Sequence, residues 1–312
     1  MALLLVLVVV ALLTTLLTDL AFSTLVDMRL TETFRDSTRA YYLAKGGINA
    51  GRMILQVDEN NYDSLNEPWS KGVINYPVAA GSVTVQIEDL DGKLAINGMV
   101  SGNNPQVIMI DRFYRFLVAL ELEDQADPAE LTAALIDWLD AGDQPYTAIH
   151  TDGLNIPVGG AEELYYRSLP QPYGCKNGPL ETLQELSMIK GFTPEIVKRI
   201  SPYLTVNETV QVNINTASAE VLMSLDLLID IDIAQKIIDY RETEPIINIT
   251  QLEDVLEPQS YAVLKTLANL QQLGTTSRGY RIESSALVND GTRRLTAEID
   301  KQGNKLLFFK VN

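Results

Sequence analysis

Histidine and cysteine are almost absent: the 312-residue chain has one of each, His150 and Cys175. A single cysteine allows no internal disulfide, and so few thiol and imidazole donors exclude a Cys/His zinc centre. A histidine-dependent triad would have to use His150. That residue stands in Thr147-Ala-Ile-His-Thr-Asp-Gly153, a polar loop sequence with no nucleophile motif beside it. The chain is therefore read as a non-enzyme. Basic residues are also in short supply, with 24 Lys and Arg against 41 Asp and Glu, a net charge of -17. An acidic surface repels phosphate backbones, so no nucleic acid is expected as a partner. The same surplus supplies the oxygen ligands that calcium prefers. The rest is ordinary for a folded protein: 46% hydrophobic and 21% charged, which excludes wholesale disorder. The length suits two structural units better than one.

Charge is missing altogether from Met1 to Thr18, and Leu3 to Val10 is an unbroken apolar run. At roughly 1.5 Å of rise per residue such a segment, continued through Leu20, Ala21 and Phe22, is long enough to span a bilayer. A cleaved secretory signal needs a basic n-region and a small-x-small cleavage site, and neither is present. Proline is absent from Asp19 to Leu55, while Leu25, Met28, Ala40, Leu43 and Ile48 recur at helical spacing. The apolar span is thus expected to flow into one long amphipathic helix, bent near Gly46 and Gly47.

Strands are scarce in the pattern. Val83 to Asp89 alternates apolar and polar, and comparable runs return only at Tyr280 to Val288, Arg294 to Asp300 and Lys305 to Val311, separated by Asn289-Asp-Gly and Gln302-Gly-Asn turns. A lone strand is not stable, so Val83 to Asp89 must pair with the C-terminal meander. The residues between read as helical: Val107 to Leu122, a helix capped by Asp127-Pro128, then Leu180 to Lys190, Thr193 to Leu204, Thr216 to Leu225, Ile231 to Glu242 and Pro258 to Gln272. The expected fold is α+β. A membrane-spanning part, residues 1–26, leads into a discontinuous α/β unit, 27–104 and 275–312, carrying an inserted helical domain, 105–274.

An apolar N-terminus entering one long helix, then a small antiparallel sheet, resembles the type IV pilins and type II secretion pseudopilins. Met1-Ala-Leu-Leu-Leu5 is similar to a mature pilin start, except that Leu5 stands where most pilins carry glutamate. The K-type minor pseudopilin, general secretion pathway protein K, shares that departure and the large insertion. Asp137-Trp-Leu-Asp140, Gly160-Ala-Glu-Glu-Leu-Tyr-Tyr166, Lys176-Asn-Gly-Pro-Leu180 and Val212-Asn-Ile-Asn-Thr-Ala217 resemble that family's blocks in order. The resemblance implies a pseudopilus tip subunit. Its partners would be I-type and J-type minor pseudopilins and then the major pseudopilin. It would be anchored once in the bacterial inner membrane with its body in the periplasm.

Asp137, Asp140 and Asp143 are spaced three apart, and Gly142 breaks the helix so that the chain beyond it can fold back. Asp152, Glu162 and Glu163 come next, in a loop rich in Gly and Pro. From spacing alone this is either a solvated helix end or a calcium site. The resemblance, to a family of calcium binders, favours calcium, with Asp140, Asp143 and Glu162 as leading ligands and Asp137, Asp152, Glu163 and Asn177 behind them. Asp89-Leu-Asp91-Gly92 opens like an EF-hand loop but has Val100 where the twelfth-position glutamate belongs, so a turn is expected. Leu186 to Ile200 and the segment after Val212 resemble helix-hairpin-helix units. Their turns offer only Gly191 and three aspartates, Asp226, Asp230 and Asp232, which suits packing and not phosphate binding.

Overall fold

The computed structural model describes residues 1–78, 81–151, 153–207 and 209–311. Helix α1 runs unbroken from Ala2 to Val57. Its first thirty residues are exposed, and burial begins only at Asp36. This is a helix long and apolar enough to cross a membrane. The hydroxyls of Thr14 and Thr18 donate to carbonyls one turn back, at 2.7 and 2.8 Å, so they need no water in an apolar setting.

The main sheet is built from β1 (Val73–Val78), β2 (Gly81–Asp89), β3 (Gly279–Val288), β4 (Gly291–Asp300) and β5 (Lys305–Val311). The strands lie in chain order, each antiparallel to the next. The expected pairing across the insertion is present, running from Gly81 opposite Val288 to Asp89 opposite Tyr280. Strand β1 is the one without a sequence signature. Pro77 and a left-handed Asn75 (φ 50°) interrupt its alternation, and its register shifts between Val73 and Tyr76.

Helix α1 packs on β2, β3 and β4. The expected bend at the glycines is replaced by close contact, because the helix continues through Gly46 and Gly47. A Cβ at Gly47 would stand 2.2 Å from Ser284 Oγ, and one at Gly51 would stand 2.8 Å from Ile282 Cγ2. Two missing side chains therefore seat the helix backbone on the sheet. Ala40, Ala44, Ile48 and Leu55 fill the interface against Ile282 and Leu295, and Trp69 closes it edge-on to Tyr280 at 5.3 Å. Gly291 abuts Asp36, Ser284 abuts Gly47 and Ile282 abuts Gly51. The ends of β2 and β3 that bear the insertion therefore lie toward Val57, opposite the apolar N-terminus.

The insertion has its own core, the larger of the two. Its main helices are α2 (Val107–Ala119), α3 (Pro128–Leu139), α4 (Ile231–Thr243) and α5 (Pro258–Asn269). Leu183–Met188 is a single 3-10 segment with a Thr182/Glu185 capping box, where a longer helix was expected. Short strand pairs accompany the helices, among them the hairpin Ala148–Thr151 with Leu154–Pro157. Leu94, Ile96 and Met99 already belong to this core, ahead of the expected boundary at 104.

Asp89 and Asp91 form the turn expected of them. Leu90 N donates to Gly279 O at 2.8 Å, tying the two ends of the insertion together. Asp89 Oδ1 accepts from Asp91 N at 2.8 Å, and Asp89 Oδ2 accepts from Asn213 Nδ2, Thr216 Oγ1 and Ser277 Oγ at 2.5–3.0 Å. Asp91 Oδ2 accepts from the Arg278 and Gly279 amides. These donors come from the body and both ends of the insertion, so the pair closes the junction between the two units, although the buried Asp91 Oδ1 meets no partner among the described residues.

Candidate metal centre

Helix α3 starts with Pro128 in its first turn and an Asp127 cap that accepts from Ala129 N at 2.8 Å. Eleven of its twelve residues are buried, so its one inward acid is forced into the core. That acid is Asp137, fully buried, whose Oδ1 accepts from Tyr146 N at 2.8 Å. The helix stops at Asp140, which turns extended and accepts from Gly142 N at 2.8 Å. The chain then passes through the hairpin and returns at Gly160, where a Cβ would fall 1.9 Å from Asp137 Oδ2. Only glycine leaves room for that oxygen.

Two residues later Glu162 is 3% exposed. Asp137, Asp140 and Glu162 each bring a carboxylate oxygen within 4.8 Å of the others'. Among the described residues no partner reaches Asp137 Oδ2, either oxygen of Glu162, or the buried Oδ1 of Asn177. Asn177 is held in place by Nδ2, which donates to Gly142 O at 3.2 Å. Buried polar atoms are nearly always paired, so the three orphan oxygens of Asp137 and Glu162 in this carboxylate cluster, with a fourth on Asn177, leave an unmet demand for positive charge. Burial pushes the Asp137 carboxyl up to about 6, against the Tyr146 amide. Burial, and then the charges of Asp137, Asp140 and Asp143, push Glu162 up to about 7.

Carboxylate and amide oxygens in this number suit a hard cation such as calcium, with water completing the shell. The nearby thiol is no competitor. Burial raises Cys175 to about 11, and its Sγ donates to Asp137 O at 3.6 Å. Trp138, stacked edge-on with Tyr166 at 5.0 Å, adds apolar bulk beside the acids.

The sequence-expected ligands divide. Asp137, Asp140 and Glu162 converge, and Asn177 is tied by its amide to the Gly142 carbonyl two residues beyond Asp140. Asp143 is exposed and adds only its charge. Glu163 turns away, pairing with Arg167 at 2.6 Å and accepting from Cys175 N at 2.7 Å, which holds its carboxyl below the usual range. Asp152 lies outside the described residues. A second acid group, Asp58, Asp63 and Glu67, went unnoticed in the sequence. Its oxygens already have partners: Lys301 Nζ reaches Asp58 at 2.7 Å and Asp63 at 2.6 Å, while Asn60, Ser64 and Trp69 donate to Glu67. The hairpin-like segments are occupied by internal packing. A Cβ at Gly191 would stand 2.8 Å from Leu131 Cδ2, Lys190 Nζ donates to Gly159 O at 2.6 Å, and Arg199 donates to Leu120 O.

A long apolar-headed helix on an antiparallel sheet, with a helical insertion built round a carboxylate pocket, defines a pilin-like subunit carrying an accessory domain. Residues 92–209 and 212–273 match the two sequence profiles described as "Type II secretion system (T2SS), protein K", together more than half of the chain. The chain belongs to the type II secretion system protein K family. It is 28% identical over 225 residues to the type II secretion system protein K of Pectobacterium carotovorum subsp. carotovorum, matching 69% of this chain and 65% of that one. To the Aeromonas hydrophila protein K it is 25% identical over 237 residues, 70% and 67% of the two chains. The aligned region thus spans about two thirds of these relatives. The fold is shared with a chain from the GspK-GspI-GspJ complex of the enterotoxigenic Escherichia coli type 2 secretion system, at a TM-score of 0.64 and 15% identity, over 90% of this chain and 99% of that one.

Proposed function

We propose that this chain is the minor pseudopilin that caps the type II secretion pseudopilus, assembling with I-type and J-type minor pseudopilins before the major pseudopilin is added. The observation that carries this reading is the placement of the insertion. It leaves the sheet at the Val57 end of α1, as far as the fold allows from the apolar Met1 to Thr18 segment. In a bundle of parallel spine helices rooted in the inner membrane, that position is the distal end. A domain of this size has no room there beneath another subunit. The body on this reading is periplasmic, and a calcium ion held by Asp137, Asp140, Glu162 and Asn177 orders the insertion. The test is co-expression of the full chain with I-type and J-type subunits, then purification in detergent and calcium. A stoichiometric ternary complex is the expected result, and failure to recover either partner overturns the assignment.

A further inference from the structure

The main sheet has two edges, and the chain guards only one of them. Strand β1 is a poor template for a further strand: Pro77 lacks a donor, Asn75 is left-handed, and the Asn75 amide already donates to Thr84 Oγ1 at 3.0 Å. Strand β5, at the opposite edge, holds neither a proline nor a left-handed residue. All seven of its residues are exposed, including the unbroken apolar run Leu306-Leu-Phe-Phe309. The strand is nonetheless held in place. It pairs with β4 from Lys305 opposite Asp300 to Val311 opposite Leu295, with one irregularity at Leu307. Arg52 of α1 donates to Asn304 Oδ1 at 2.8 Å and fixes the turn before it. The ladder to β4 uses one side of β5, so the backbone groups of the other side are a template for an added strand.

Three features define what fits. Phe309 and Val311 lie opposite Ala297 and Leu295, which face α1, while Phe308 points to the other face of the sheet. An occupant must therefore be apolar on both faces, as a strand with a continuous apolar run is. The bilayer is too distant to serve. Val311 lies beyond the level of Gly291, which abuts Asp36, and Asp36 is itself fourteen helical residues, roughly 21 Å, past Phe22. Charge supplies the third feature. Lys305 and Lys310 bracket the apolar run, exposed and without an ion pair among the described residues. The acids of β4 are already engaged, Glu298 by Arg281 at 2.8 Å and Asp300 by the Gln302 amide at 2.8 Å. Setting the apolar runs of two copies antiparallel would place Lys305 opposite Lys310 at both ends, and like charges so placed are destabilising.

We infer that β5 is extended by a strand of a different subunit, one whose apolar run is flanked by acidic residues. This rests on the assembly proposed for the chain. The experiment is hydrogen exchange on the full chain, alone and in the complex purified with I-type and J-type subunits. The peptide covering 305–311 should exchange about tenfold more slowly in the complex. Lys305→Glu combined with Lys310→Glu should lower partner recovery about tenfold and leave the melting temperature unchanged, since both positions are exposed. A complex in which β5 gains no protection overturns the inference and leaves the assembly reading intact. Recovery undiminished by the two charge reversals overturns the acidic strand. Protection that appears in the chain alone as its concentration rises overturns the different subunit in favour of a second copy. Absence of a complex with the unaltered chain overturns both readings.

Discussion

Glu162 and Glu163 are neighbours with opposite fates. Glu162 has extended backbone (φ -110°, ψ -174°) and turns inward, while Glu163 opens a short helix and meets Arg167 one turn on. Spacing in the sequence could nominate both but could not say which faced the core, because that depends on where the helix begins. The exposure of Asp143 was illegible for a related reason: beyond Gly142 no periodicity fixes direction. The tie between Asn177 and Gly142 left no local signal, since Asn177 arrives from a distant segment. If the pocket holds calcium, a hundredfold excess over Kd should stabilise the insertion by ~2.7 kcal/mol, several degrees in Tm. Glu162→Gln removes a charge without changing shape and should abolish most of that increment while leaving melting in chelator unharmed. Gly160→Ala should also abolish it, by displacing Asp137 Oδ2. A calcium increment that survives in both variants rejects the site.

Elements were more legible than residues. Helices α2 to α5 and strands β2 to β5 follow from period, caps and turn chemistry: β2 and β3 alternate buried and exposed residues, α3 announces itself by its Asp127-Pro128 start, and β5 by the turn before it. Strand β1 escaped because a proline and a left-handed asparagine erased its alternation. The glycines of α1 were legible as special but not for the right reason, since close approach to another element leaves no trace in a single helix's sequence. Gly47→Ala should be destabilising by ~1–3 kcal/mol through overpacking against Ser284 and Val85, measured by denaturant melting of the full chain. A neutral result would mean that α1 is not seated on the sheet as described.

At the scale of the molecule, the junction carries a pH dependence that belongs to neither unit alone. Burial, then the charges of Asp89 and Asp63, push the Asp91 carboxyl up to about 7, while the Arg278 and Gly279 amides oppose the shift. The folded state thus holds this proton more tightly than the unfolded chain, where the group titrates near 4. Its stabilising contribution is full below about pH 4 and fades as pH rises through about 7, a loss on the order of a few kcal/mol. Asp91→Asn keeps an acceptor for the two amides and cannot ionise. Its Tm advantage over the unaltered chain should be small near pH 4, grow between pH 4 and 7 and level off by pH 8, and an equal difference at pH 4 and pH 8 would contradict this account. The two-unit division was legible because paired strands separated by nearly two hundred residues imply something self-contained between them. The bond from Leu90 N to Gly279 O gives that division a topological meaning. Because β2 and β3 are adjacent antiparallel partners, the entire helical body is the loop of a single β-hairpin, and a two-residue turn could in principle replace it. The closure cost of a flexible loop grows only logarithmically with its length, and here the folded body itself brings its two ends together. The whole accessory body is thus joined to the sheet at one corner, and exchanging it there leaves the register of β2 against β3 undisturbed.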